Sequence, residues 1–186
     1  MKINEIFYSL QGEGKHTGTP AIFVRFSGCN LHCDFCDTLH QDGKEMTEKE
    51  IVNEVIKYPA TLVVLTGGEP TLQLTSTLCE KLHNHGKYIA IETNGTNEVP
   101  HGVDWITCSP KYKPVTIHNC DELKVVYEGQ DMSQYDKILA YIKYLQPCDR
   151  KDPEKNAENT AAVVQYCLDH PEWKISIQTQ KILNVR

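Results

Sequence analysis

Three short apolar runs constrain the fold most: AIFVRF at residues 21–26, TLVVL at 61–65 and YIAI at 88–91. Runs that are apolar at nearly every position suit strands covered on both faces, as in a parallel sheet with crossover connections. Helical patterns lie between them. Thr47 followed by Glu50 has capping-box spacing, and Ile51, Val52, Val55 and Ile56 repeat at helical intervals. A second helix is predicted from Leu72 through Leu78, Cys79 and Leu82, closed by Gly86. Further strands are predicted at 103–107, 123–126, 144–146 and 174–176, and further helices at 134–142 and 157–168. At roughly 30 residues per βαβ unit, 186 residues supply about six parallel strands, short of the roughly 250 residues of a closed eight-fold barrel. The expected class is α/β: an incomplete TIM-like barrel of about six parallel strands with few helices, in a single domain spanning 1–186.

Composition narrows the function classes. A hydrophobic fraction of 40% and a charged fraction of 24% suit a globular domain and exclude a disordered, collagen-like or coiled-coil chain. Nineteen Lys and Arg against 25 Asp and Glu give a net charge of −6, which argues against nucleic acid as a partner. No run reaches the roughly 18 apolar residues of a membrane span, and the start, Met-Lys-Ile-Asn-Glu, lacks the apolar core of a secretion signal. A cytoplasmic protein without a membrane partner is expected. No fixed-period repeat is present.

The unusual residues cluster where such folds place their chemistry. Segments 28–38, 66–70, 92–95, 109–111 and 146–147 each follow the C-terminal end of a predicted strand. The first holds Cys29, Cys33 and Cys36, a Cys-x3-Cys-x2-Cys triad on one loop. A structural zinc site closes with four ligands, whereas a cubane held by three thiolates keeps one iron open. His32 or His40 could complete a zinc site, so a zinc-binding module remains an alternative. Cys79, Cys108, Cys120 and Cys167 fall on predicted elements or their ends and read as small hydrophobes. His83 and His85 near a helix C-terminus suit the helix dipole without catalysis. Arg25, between Val24 and Phe26, offers a fork for a carboxylate, unless it faces solvent on an edge strand.

Phe35 before the last cysteine, and Gly67-Gly68-Glu69-Pro70 downstream, make the triad resemble the radical S-adenosylmethionine (SAM) superfamily over nearly the whole chain. FYSLQGEG at 7–14, Cys36-Asp37-Thr38, Thr66-Gly67-Gly68-Glu69-Pro70, Glu92-Thr93-Asn94-Gly95 and Ser109-Pro110-Lys111 narrow the resemblance to the 7-carboxy-7-deazaguanine synthase family. The triad has the short first gap shared with the superfamily at large, so its spacing does not choose a substrate.

The resemblance implies a carbon–nitrogen lyase of queuosine-precursor synthesis that contracts 6-carboxy-5,6,7,8-tetrahydropterin to 7-carboxy-7-deazaguanine with loss of ammonia. It implies a [4Fe–4S] cluster on Cys29, Cys33 and Cys36, SAM, and Mg²⁺ on Thr38. SAM would lie along Phe35, Cys36, Asp37, Gly68, Ser109, Pro110, Lys111, Gln146, Pro147, Cys148 and Asp149. The pterin would be held by Leu10, Gln11, Gly12, Glu13, Arg25 and Thr66. Residues 1–19 would then be a substrate-binding segment, about 20–150 the core, and 151–186 a cap. An electron donor such as flavodoxin is implied, and a short open barrel with exposed edges is expected to pair as a homodimer. An activase of a glycyl-radical enzyme, also of the radical SAM superfamily, is the enzymatic alternative.

Overall fold

β1 (Lys2–Leu10) runs antiparallel to β2 (Pro20–Phe26), and β3 (Lys44–Glu45) borders β1. The computed structural model describes residues 1–36, 38, 40–111 and 115–186. From β2 onward every neighbour is parallel: β4 (Leu62–Gly67), β5 (Tyr88–Thr93), β6 (Trp105–Cys108), β7 (Asn119–Tyr127), β8 (Leu139–Pro147) and β9 (Trp173–Ile175). The resulting nine-stranded order, β3-β1-β2-β4-β5-β6-β7-β8-β9, ends on two short edge strands and leaves the sheet open. Its parallel run exceeds the estimate from length by the three-residue β9. Helices are few: α1 (Glu48–Val55), α2 (Ser76–His83), α3 (Pro153–Asp169) and the short α4 (Thr179–Leu183). Among the described residues, no helix is long and apolar enough to cross a membrane.

Strand alternation sorts side chains between two buried faces. On β2 and β4, Ile22, Val24, Phe26, Val63 and Leu65 join Ile51 and Val55 of α1 and Leu78 and Leu82 of α2 in one core. The opposite parity, Phe7, Ala21, Phe23, Leu62, Val64 and Ala90, forms a second core along the inner face of the sheet, with Phe7 and Phe23 stacked at 4.9 Å. Leu123, Val125, Leu145 and Trp173 pack with Val163 of α3 in a third. Burial on both faces explains why these strands read as unbroken apolar runs.

α1 begins as its sequence indicates: Thr47 Oγ1 accepts from Glu50 N at 3.3 Å, and Glu50 Oε2 accepts from Thr47 N at 2.8 Å. Elsewhere the elements differ from expectation. Leu72 belongs to a 3-10 turn (Pro70–Leu72) and is exposed, and α2 starts afresh where Thr75 accepts from Leu78 N at 3.2 Å. The helix expected at 134–142 is absent. Asp131 caps a 3-10 turn at Met132–Tyr135, and β8 begins at Leu139, where pairing with β7 outweighs the local pattern. α3 begins at Pro153 because Asp152 accepts from Glu154 N and Lys155 N. β1 was not anticipated as a strand.

Candidate functional site

Toward the C-terminal ends of the strands, the inner parity turns from apolar to polar at one level. In register, Glu5 lies beside Arg25, Arg25 beside Thr66, Glu92 beside Thr107 and Thr107 beside Glu122. Above the apolar inner core this polar tier opens into a cavity of about 900 Å³. Its wall takes Cys29, Cys33, Cys36, Phe35, Thr38, Gly68, Ser109, Lys111, Gln146, Pro147, Cys148 and Asp149. It also takes Leu10, Gln11, Gly12, Glu13, Arg25 and Thr66. Pro110 is buried and does not line it, and Asp37 lies outside the described residues.

The cysteine loop is strapped to the glycine pair at the end of β4. Gly68 N donates to Phe26 O at 3.0 Å, Glu69 N to Gly28 O at 2.9 Å, and Gly28 N to His40 O at 2.7 Å. A Cβ on Gly68 would meet Gly28 O at 1.9 Å, and one on Gly67, where φ is +125°, would meet Phe26 O at 2.2 Å. The glycines are therefore needed by the protein's own backbone, with no ligand invoked. Glu69 is fully buried and braces the same corner. Its Oε1 accepts from Thr71 N (3.1 Å), Thr71 Oγ1 (2.6 Å) and Thr93 Oγ1 (2.7 Å), and its Oε2 from Asn94 N (2.7 Å). Asn94 Nδ2 in turn donates to Asn30 Oδ1 at 2.9 Å, and Asn30 Nδ2 donates to Thr96 Oγ1 at 2.8 Å, tying the loop to the turn after β5.

Arg25 sits on an interior strand, which removes the edge-strand reading. Its Nε donates to Glu5 Oε1 at 2.9 Å and its Nη1 to Thr38 Oγ1 at 3.2 Å. Glu13, flanked by glycines, is not a solvated turn residue. Its Oε2 accepts from Lys124 Nζ at 2.6 Å, and its Oε1 from Gln178 Nε2 at 2.8 Å and Gln180 Nε2 at 3.3 Å. Burial opposes the Glu13 charge, but the Lys124 ammonium and the donated hydrogen bonds outweigh it and hold the carboxyl down at about 2. Burial likewise opposes the Lys124 charge, and Glu13, Glu92 and Glu122 outweigh it, raising Lys124 above its ordinary value.

A model of the radical SAM superfamily matches residues 23–109. The chain is 55% identical over 186 residues to the 7-carboxy-7-deazaguanine synthase of Bacteroides thetaiotaomicron, covering 100% of this chain and 98% of that one. It is 40% identical over 210 residues to the synthase of Bordetella pertussis, covering 98% of each. The crystal structure of QueE from Escherichia coli superposes with a TM-score of 0.78 at 28% identity, covering 95% of this chain and 93% of that one. The chain belongs to the 7-carboxy-7-deazaguanine synthase family.

A radical SAM enzyme of this family uses a [4Fe–4S] cluster and SAM, and the three loop thiols suit the cluster. All are free and line one cavity. Burial pushes the Cys29 and Cys33 thiols up, and the neighbouring thiols add to the rise. The nearby Lys111 ammonium pulls Cys33 the other way. Bound iron would relieve the mutual repulsion of three thiolates. Among the described residues, no three His, Cys, Asp or Glu side chains are grouped to hold a single metal ion, and His32 is exposed.

The remaining family-motif residues differ in what already engages them. Lys111 is half-buried, donates to Ser109 Oγ at 2.7 Å and lies 5.7 Å from the centre of the Phe35 ring. Gln146 Oε1 accepts from Ser176 Oγ at 3.1 Å, linking β8 to the chain just past β9. Asp149 accepts from Lys181 Nζ at 2.6 Å, Lys151 N at 2.9 Å and Asn156 Nδ2 at 2.9 Å, which together hold its carboxyl well below the usual range. Cys148 is buried, and that burial pushes its thiol up to about 11. Sequence reasoning missed Glu5, Glu92, Lys124, Gln178 and Gln180 on the wall. A lone lysine between Leu123 and Val125, and Glu92 within the family motif, were the available signals.

Proposed function

We propose that this chain is a radical SAM 7-carboxy-7-deazaguanine synthase acting on 6-carboxy-5,6,7,8-tetrahydropterin, with loss of ammonia. The observation that carries the reading is the single cavity in which the three cysteines, the Gln11-Gly12-Glu13 segment and Arg25 meet. Cys29, Cys33 and Cys36 would hold the cluster. Phe35, Cys36, Asp37, Gly68, Ser109, Pro110, Lys111 and residues Gln146, Pro147, Cys148 and Asp149 would hold SAM. When bound together, cluster and SAM supply hydrogen-atom abstraction; the side chains orient the pterin and keep water out.

Arg25 would take the pterin carboxylate as a two-pronged donor. The Thr38 hydroxyl lies 3.2 Å from that guanidinium, so a Mg²⁺ on Thr38 and the charge of Arg25 would share the substrate's anion between them. Glu13 supplies acceptors to the ring's N–H groups, with Leu10, Gln11, Gly12 and Thr66 shaping the pocket. Residues 1–19 bring Gln11 and Glu13 to the site, 20–150 form the core, and 151–186 act as a cap. Thr179 N and Oγ1 both donate to Gly12 O, at 3.0 and 2.9 Å, in support of that arrangement. The working form would be a cytoplasmic homodimer reduced by a flavodoxin-type donor.

Anaerobic protein rebuilt with iron and sulfide should be brown and should convert the carboxytetrahydropterin to deazaguanine product and ammonia in the presence of SAM, Mg²⁺ and a reductant. Alanine at Cys29, Cys33 or Cys36 should remove the colour, while alanine at Cys79 or Cys167 should leave it. SAM cleavage without deazaguanine would remove the substrate; colourless, inert protein would remove the radical chemistry.

A further inference from the structure

Lys124 is an ammonium in the middle of β7, 3% exposed and flanked by the fully buried Leu123 and Val125. Taking a cation out of water is costly unless it is paired, so its partners explain its presence. Its Nζ donates to Glu13 Oε2 at 2.6 Å and lies 3.5 Å from Glu92 Oε2. Glu122, two residues earlier on the same face of β7, adds a third carboxylate within electrostatic reach. Glu13 and Glu92 line the cavity while Glu122 does not, and the Lys111 ammonium on the same wall lies within electrostatic reach of both.

The two lining carboxylates keep the capacity to accept further hydrogen bonds. An ionised carboxylate offers about four acceptor sites and no donor. Glu13 already accepts from Lys124, Gln178 and Gln180, and Glu92 from Gln11 Nε2 at 2.8 Å and, more distantly, from Lys124. Acceptor sites therefore remain on both carboxylates, and both residues line the cavity. Beside them Gln180 Oε1 is buried without a hydrogen-bond partner. A wall rich in acceptors calls for a ligand edge rich in N–H donors.

We infer that Lys124 is a positioning residue that holds Glu13 and Glu92 together as ionised acceptors for the 2-amino-4-oxopyrimidine edge of the substrate. The inference rests on the pterin reading above and deepens it. Without the ammonium, both carboxylates lose the shared cation that draws them to one point of the wall. The Gln178 and Gln180 amides steady Glu13 from the C-terminal segment, while Lys124 steadies it from β7.

The test uses reconstituted holoenzyme with SAM, reading turnover and pterin binding for wild type, Lys124→Met and Lys124→Arg. In Lys124→Met the pterin KM should rise about 10- to 100-fold, the range for losing a charge-assisted hydrogen bond. The KM for SAM should stay within about threefold, and Lys124→Arg should recover part of the loss. Wild type should reject the analogue with oxygen in place of the 2-amino group, and Lys124→Met should discriminate less, because the acceptor pair is no longer set. A Lys124→Met enzyme with wild-type pterin KM and discrimination overturns the inference, as do equal losses for pterin and SAM that arginine does not recover. Should Lys124→Met fail to fold, Gln178→Ala decides. It removes one donor to Glu13 and should raise the pterin KM about three- to tenfold with SAM unaffected; an unchanged KM overturns the inference. Wild-type protein that cleaves SAM yet never binds the pterin removes the substrate assignment itself, a result distinct from a working wild type and an equally working variant.

Discussion

Gly68→Ala is a methyl-sized probe of how the cysteine loop is held. The backbone at Gly68 lies outside the left-handed region, so alanine brings no conformational penalty there; the cost is steric. The new Cβ would stand 1.9 Å from Gly28 O, 2.4 Å from Gly28 C and 3.0 Å from Cys29 N, where ordinary contact begins at 3.4 Å. The shortest of these must open by about 1.5 Å, and every atom in the way is backbone. Overpacking of that kind costs about 3 kcal/mol, the upper end of the usual range, or about 6–12 °C in Tm for a chain of this size. The motion falls on the residue before Cys29 and breaks the bond from Glu69 N to Gly28 O. Displacement of about 1 Å at a reacting site can lower a rate about 100-fold. The assay is iron and sulfide per chain after anaerobic reconstitution, followed by SAM cleavage and a thermal melt. Gly28→Ala is the control. Its φ of +86° with open space around it predicts only backbone strain, about 1–2 kcal/mol, without a steric push. A Gly68→Ala protein with full cluster content, full SAM cleavage and an unshifted melt would refute the account of the glycine pair.

Three further outcomes follow from the same geometry. Glu13 titrates at about 2 in the fold against an ordinary 4.5, so its contribution to stability is complete above 4.5 and disappears as pH falls toward 2. Denaturant midpoints measured across that window should fall less steeply for Glu13→Gln than for wild type, and equal slopes would contradict the pairing. Arg25→Lys keeps a charge beside Glu5 but loses the fork, so the pterin KM should rise about 10- to 100-fold with SAM cleavage preserved; an unchanged KM would show that the fork is not used. Glu69→Gln places an amide N–H₂ among the donors from Thr71, Thr93 and Asn94, which should cost about 1–3 kcal/mol and lower Tm by about 3–10 °C. A melt matching wild type would count against the brace.

The parallel core was legible because it is covered on both faces. Residues 61–65 and 88–91 have apolar side chains on both parities, and β4 and β5 form where those runs stand. The capping box at Thr47 was equally plain, since a cap is a local device. Two elements were not legible. Residues 134–142 contain Leu139, Ala140, Tyr141 and Ile142, which suit a helix or a strand, and the choice falls to pairing with β7 from Asn119 onward. β1 buries only Ile3 and Phe7 and its register with β2 shifts between Ile3 and Glu5, so no regular alternation announces it in the sequence.

The site divides along the same line. The loop cysteines and the glycine pair could be found because each motif is contiguous, whereas Lys124, Glu92 and Glu5 reach the cavity wall only through strand register. A slip of one residue in β7 would turn Glu122 and Lys124 outward and Leu123 and Val125 into the cavity. That slip is prevented by packing, since Leu123 and Val125 are fully buried against Trp173 and Val163 on the outer face. The same reasoning fixes Arg25 between the buried Val24 and Phe26, and Glu92 after the buried Ile91. Hydrophobic residues of one parity thus decide where the charged residues of the other must point. The chemistry of the cavity depends on side chains that never touch it, and it stays hidden in any reading that treats the apolar runs as scaffold alone.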